Sequence, residues 1–248
     1  GGTLAAYEII KQLKNGRISK TEEKVLESLW KAMIQKTREN IQAYIKDIRL
    51  KKAEEDGIPV EEVEVEDLSF DQVLSMIDVS GSMECPAGEG FSCMDLSVSL
   101  GIVTSELNEG AFKHMAMSFD TTPRLHYFVH PDGREFTLRE KYETVMRNVG
   151  YSTDIGKAMD LILDIAKKNG VPADGLPSLV IYSDEGFDQQ VRNPNKSEQT
   201  NYWDCGDPMT TSVWNTTYDN FCAKFTAAGY HDMPMIYFWN LRLGGTSY

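Results

Sequence analysis

The chain has 248 residues, a formal net charge of −13, and ordinary apolar and charged fractions of 41% and 25%. That length suits one α/β domain with a helical extension and buries a core without disulfides or a structural metal. The acid excess argues against a broad phosphate-binding surface and leaves room only for a local basic patch, since non-specific nucleic-acid affinity rests on Lys and Arg, and no apolar run reaches the roughly 18 residues of a membrane span.

The chain opens Gly1-Gly2-Thr3-Leu4. It carries neither an initiator Met nor a signal-peptide pattern there, which reads as a trimmed or processed piece. The expected location is intracellular, in the cytoplasm or with a virion. Residues 1–56 read as helical. Leu4, Tyr7, Ile10 and Leu13 mark a first helix. Leu26, Leu29, Trp30, Met33, Ile34, Thr37, Ile41, Tyr44, Ile45 and Ile48 form one apolar stripe on a second. Ser19 or Thr21 caps its start, with Glu22 and Glu23 in the first turn. A helical hairpin docked on the domain accounts for this stripe better than a free coiled coil does.

Residues 57–69 are acidic, with Val63 and Val65 alternating against glutamates, and read as a linker or an edge strand. From residue 70 to 248 strands and helices alternate, the pattern of a largely parallel sheet covered on both faces. Strands are expected over Gln72–Ile77, His114–Phe119, Arg124–Val129, Ser178–Tyr182 and Met235–Trp239. Helices are expected over Asp95–Asn108, Thr137–Asn148, Asp154–Asn169 and Trp214–Ala228, the last closed by Gly229. The short turn Asp120-Thr121-Thr122-Pro123 makes its two strands antiparallel neighbours. Residues 189–213, polar and rich in Asn and Pro, read as a surface insertion. The chain stops soon after a core strand, so a closing strand and helix are expected either on another segment or beyond an early end of the fragment. The fold class that follows is α/β: a doubly wound, mostly parallel, Rossmann-like sheet preceded by an N-terminal helical hairpin.

Cys85, Cys93, Cys205 and Cys222 form no C-x-x-C pair, which speaks against a zinc site. Cys85 and Cys93 flank a Gly/Pro-rich insertion. An intracellular chain keeps them as thiols, with a disulfide clip as the minor alternative. The sequons at Asn195 and Asn215 carry no weight without secretion. His114, His126, His130 and His231 lie apart and read as surface or strand residues. Met94, Met115 and Met117 fit core packing, and Tyr237-Phe238-Trp239 reads as a buried strand.

One constellation carries chemistry. The first core strand ends abruptly in Asp78-Val79-Ser80-Gly81-Ser82. This puts a carboxylate and two hydroxyls at alternate positions of a tight loop, and ligands in open α/β sheets bind at the carboxyl ends of strands. A second apolar strand, Leu179-Val180-Ile181-Tyr182, ends in Ser183-Asp184. Between them Thr153 lies in a loop just before a helix that Asp154 can cap. Two carboxylates and three hydroxyls thus converge on one sheet edge, and oxygen-only ligands suit hard cations such as Mg²⁺, Mn²⁺ or Ca²⁺. The bland alternative is a strand-to-helix turn with capping residues. Glu185 and Asp188 read as a solvated acidic loop.

Asp-x-Ser-x-Ser, a Thr-bearing loop and an apolar strand ending in Asp together resemble the metal-ion-dependent adhesion site of von Willebrand factor A-type (vWA) domains. The resemblance implies that Ser80, Ser82 and Thr153 ligate the metal, with Asp78 and Asp184 acting directly or through water. Leu29-Trp30-Lys31-Ala32-Met33, Ser80-Gly81-Ser82-Met83, Met117-Ser118-Phe119, Ser152-Thr153-Asp154, Tyr182-Ser183-Asp184 with Phe187-Asp188, and Tyr237-Phe238-Trp239-Asn240-Leu241-Arg242 resemble a family of plants, fungi and large DNA viruses, domain of unknown function 2828. Its members join a helical part to a C-terminal vWA domain. The likeness implies that this chain lacks the family's N-terminal region and last strand. A more distant likeness is to the Ro RNA-binding proteins. The chain departs from the vWA pattern in the insertion Glu84–Ser92, at the place where partners dock, and in the added acid Glu185.

The expected function is metal-dependent protein–protein binding, the cation receiving a partner's Asp or Glu carboxylate. The runner-up is a structural component of a larger assembly, a virion or ribonucleoprotein. Direct nucleic-acid contact is disfavoured by the acidic balance. No enzyme is expected, because no His or Lys base, nucleophile–base pair or Gly-rich phosphate loop accompanies the site.

Overall fold

The computed structural model describes residues 4–56, 70–71, 73–109, 112–119, 122–147, 155–173, 175–184 and 208–242. Its elements are α1 Ala6–Lys14, α2 Lys20–Glu55, β1 Phe70–Asp71, β2 Val73–Asp78, β3 Pro86–Gly88, β4 Phe91–Ser92, α3 Cys93–Leu107, β5 Asn108–Glu109, β6 Met115–Phe119, β7 Arg124–Tyr127, α4 Leu138–Met146, α5 Ile155–Lys168, β8 Ser178–Ser183, α6 Pro208–Ala227 and β9 Ile236–Asn240. The fold is mixed α/β around a mostly parallel sheet. Among the described residues that sheet runs β7-β6-β2-β8-β9. The pairs β2–β6, β2–β8 and β8–β9 are parallel. Only the β6–β7 pair, across the short turn, is antiparallel.

Side chains alternate across β2, as a strand buried on both faces requires. Leu74 and Met76 join Leu179 and Ile181 of β8 in a cluster with α5 and with Phe221 and Phe225 of α6. Ile77 and Val79 join Tyr182 in a second cluster, filled by residues of α1, α2, α3 and α4. The cap Ser19 accepts the Glu22 N–H, and the Glu22 carboxylate takes the Ser19 N–H at 2.6 Å. This capping box sets the start of α2. At the end of α6, Gly229 has φ +92°. Gly229 N–H bonds Thr226 O and Tyr230 N–H bonds Phe225 O, which is a Schellman closure.

Three expectations need correction. The stripe on α2 is buried at Leu26, Trp30 and Ile34, but Leu29, Tyr44 and Ile48 are exposed. The contacts of this 36-residue helix with the main core cluster run from Leu26 to Ile41, and Ala53 near its end is buried apart from that cluster. Residues Tyr237 and Trp239 are also exposed, at 52% and 55%. They sit on β9, the last strand of the described sheet, whose other face packs inward through Ile236 and Phe238. Helix α6 starts at Pro208 rather than at Trp214. Proline is tolerated in a first helical turn, where its missing N–H costs no bond. Of the insertion read over 189–213, residues 189–207 lie outside the described residues, as does the linker 57–69.

Helix α3 crosses β2 closely. Ser75 Oγ donates to Gly101 O at 3.1 Å, and a Cβ on Gly101 would stand 2.2 Å from Ile77 Cγ1. Gly101→Val is therefore expected to destabilise the fold by roughly 1–3 kcal/mol through overpacking. Urea denaturation should show a lower midpoint, and an unchanged midpoint would mean that the helix yields freely.

Candidate functional site

Parallel register aligns Ile77 of β2 with Tyr182 of β8. The next residues, Asp78 and Ser183, therefore meet at the same sheet edge, and Ser183 Oγ donates to Asp78 Oδ2 at 2.5 Å. The loop after β2 is pinned by Val79 and Met83, both fully buried. Between these anchors the chain makes a short 3-10 turn over Gly81–Glu84. The turn is opened by Ser80 N–H donating to Asp78 Oδ1 at 2.9 Å, a local Asx-type bond.

Four of the five expected site residues come together. Ser80 Oγ and Ser82 Oγ lie 3.0 Å apart, and Ser82 Oγ donates to Asp184 Oδ1 at 3.0 Å. Asp184 is held from behind, its N–H contacting Met83 Sδ at 3.1 Å. The fifth residue, Thr153, lies outside the described residues, as do Asp154, Glu185 and Asp188.

Three further side chains belong to this edge. Arg242 Nη2 donates to Asp184 Oδ2 at 2.9 Å. Its backbone N–H is fixed on Asn240 Oδ1, just past β9. Cys85 Sγ stands 3.6 Å from Asp184 Oδ2 and 3.3 Å from Cys93 Sγ. Ser183 is the third. Arg242 could have been found by the rule that flagged Asp184, because it follows the next parallel strand. The packing of Cys85 depends on the insertion's shape, which no local pattern gives. That insertion is the antiparallel pair β3–β4, with Phe91 against Tyr7 of α1 at 4.1 Å between ring centroids.

The charge balance of the cage is uneven. Asp78 and Asp184 are 0% and 1% exposed. Asp184 has a guanidinium, whereas the Asp78 hydrogen bonds come from neutral donors. Burial pushes the Asp78 carboxyl up from its ordinary value; the Ser183, Ser80 N–H and Ser80 hydroxyl hydrogen bonds oppose this, and the Asp184 charge adds to it. With both acids ionised, two buried carboxylates face one guanidinium, a charge imbalance that a cation would relieve.

Among the described residues no group of three or more His, Cys, Asp or Glu side chains could hold a metal. A cation here would rest on hydroxyls as well as carboxylates. The spacing fits that donor set. Neighbouring ligands of an octahedral Mg²⁺, at 2.0–2.1 Å from the ion, are about 3.0 Å apart. That is the separation of Ser80 from Ser82, and of Ser82 from Asp184.

Residues 72–247 match a domain of unknown function, DUF7788. The chain belongs to this family. The DUF7788 match takes in β2 through β9, and with them Asp78, Ser80, Ser82, Asp184 and Arg242. Helices α1 and α2 precede it. A comparison with curated proteins finds no match. Among the described residues no helix is long and apolar enough to cross a membrane.

Proposed function

We propose that the DUF7788 domain of this chain is a vWA-like, doubly wound module that binds a protein partner through a divalent cation. The single observation that carries the reading is the convergence of Asp78, Ser80, Ser82 and Asp184 on one sheet edge, with hydroxyl and carboxylate oxygens at ligand-like spacing. Its further support is the sheet, parallel except at the β7 edge. In this reading α1 and α2 are a helical hairpin docked on the domain.

Ser80 and Ser82 would hold the cation by neutral oxygens, with Thr153 as the third hydroxyl and Asp78 and Asp184 bonding directly or through water. Mg²⁺ is the first choice, with Mn²⁺ or Ca²⁺ as alternatives. Bound among mostly neutral oxygens, such an ion supplies a positive centre to which a partner's Asp or Glu carboxylate can add. Arg242, whose side chain is 45% exposed, is placed to steady the same acid. No His or Lys stands at this edge among the described residues, and the reading put forward is recognition rather than catalysis.

Calorimetry with Mn²⁺ tests this. The native protein is expected to take up one ion, and Ser80→Ala with Ser82→Ala should weaken it by roughly two orders of magnitude or more, since losing even an outer-shell partner costs about 10–100-fold. Equal binding by both proteins would remove the proposal.

A second reading is favoured by exposed apolar side chains. Tyr44 and Ile48 of α2, and Tyr237 and Trp239 of β9, lie open on the surface. They suit a structural component of a larger assembly, with the metal site structural or vestigial. Partner capture that survives EDTA and the serine substitutions would favour this reading over the first.

A further inference from the structure

We propose that Cys85 and Cys93 form a reversible, oxidisable thiol pair that closes the β3–β4 hairpin as a disulfide beside Asp184. The proposal does not depend on the metal reading. Both residues are free thiols, with sulfurs 3.3 Å apart. The hairpin prepares the bond. Pro86 pairs with Ser92, and one step outward the Cys93 N–H donates to Cys85 O at 2.9 Å. Hydrogen-bonded partners across an antiparallel ladder have Cα atoms about 5.5 Å apart. Disulfides accept Cα separations of about 4.4–6.8 Å. From 3.3 Å the sulfurs must approach by roughly 1.3 Å to reach the S–S bond length of about 2.0 Å.

The two thiols have different surroundings, and this fixes their order of reaction. Cys93 is fully buried. Cys85 is half-buried, so an oxidant in solution reaches its sulfur first. Partial exposure marks the sulfur that reacts first, and a second cysteine at hand resolves the first product.

Glutathione disulfide serves as oxidant. Cys85 Sγ attacks one of its sulfurs; the glutathione S–S bond breaks, a Cys85–glutathione bond forms, and one glutathione leaves as its thiol with the Cys85 proton. Cys93 Sγ then attacks the Cys85 sulfur and displaces the second glutathione, which takes the Cys93 proton. Two cysteine sulfurs are oxidised and the two sulfurs of glutathione disulfide are reduced. Cys85 then has no S–H to offer Asp184 Oδ2, which keeps Arg242 as its donor on that oxygen.

The test uses the full chain equilibrated in glutathione buffers of rising oxidised fraction, blocked with N-ethylmaleimide, digested, and read by mass spectrometry. The expected product is a peptide cross-linked between Cys85 and Cys93, lost again in dithiothreitol. In Cys93→Ser the glutathione adduct should accumulate on Cys85, while in Cys85→Ser the Cys93 thiol should stay unmodified. Far-UV circular dichroism confirms that each variant is folded, and the native protein carries the test should a variant fail. Cys85 and Cys93 both remaining alkylatable in excess glutathione disulfide would overturn the proposal. So would a Cys93→Ser protein that stays folded and takes no glutathione.

Discussion

Asp78→Asn is expected to abolish the thermal shift produced by Mn²⁺ while leaving the metal-free protein as stable as before, or more so. The carboxylate is 0% exposed and its donors, Ser80 N–H and the Ser183 hydroxyl, are neutral. Desolvating such a charge costs several kcal/mol before any partner is counted. An Asn of the same shape keeps an oxygen for Ser80 N–H, and its amide can donate to Ser183, whose hydroxyl turns to accept. The metal-free change should fall between neutral and about 2 kcal/mol stabilising, because part of the desolvation cost of the charge is removed while its hydrogen bonds are kept. With Mn²⁺ at 100 times its Kd the native protein should gain about 2.7 kcal/mol and the variant nothing. Melting curves with and without the ion read both quantities. An equal shift in the two proteins would detach Asp78 from any metal, and a metal-free loss above about 2 kcal/mol would make it a structural acid. Opposite signs in the two buffers are the mark of a residue kept for a ligand at the cost of the fold.

What could be read in the sequence divides along physical lines. The strands of the sheet were legible because they are short, nearly continuous apolar runs, and Asp78 and Asp184 follow two of them directly. Parallel pairing then forces both acids to one edge, so their meeting needed no side-chain detail. The antiparallel β6–β7 pair was legible from its short connection. The outcome for β9 was not, because Tyr237-Phe238-Trp239 looks the same in a central strand and in a terminal one. What covers a strand is a property of its neighbours, not of its own residues. The stripe of α2 poses the same problem, since periodicity gives a face but not the length of its partner. Cys85 met Cys93 and Asp184 only because a nine-residue stretch, Glu84–Ser92, folds back as a hairpin rather than a loose loop.

Lys141→Met is expected to be among the most destabilising single changes in the chain, by about 3–5 kcal/mol, although it lies outside the candidate site. Lys141 Nζ bonds Glu106 Oε1 at 2.7 Å, with side-chain exposures of 4% and 12%. The same oxygen receives Trp30 Nε1–H at 2.8 Å, and Arg38 of α2 donates to the Glu106 carbonyl at 2.7 Å. Glu106 is thus the point at which α2, α3 and α4 are joined. Leu138 N–H on Glu27 and Arg139 on Glu23, both at 2.7 Å, add two more ties between α4 and α2. Removing the ammonium leaves a largely buried carboxylate with one neutral donor, the Trp30 indole. That uncompensated charge, more than the lost attraction, sets the cost. The double variant Lys141→Met with Glu106→Gln should therefore recover a large part of the loss, because the charge leaves with its partner. Urea denaturation of the native, single and double variants completes the cycle. A loss below about 1 kcal/mol for Lys141→Met would class the pair with solvent-screened surface bridges. Since β2 and β8 form the site without this junction, Mn²⁺ affinity should be unchanged in whatever fraction stays folded, so the helical face and the binding edge respond to different substitutions.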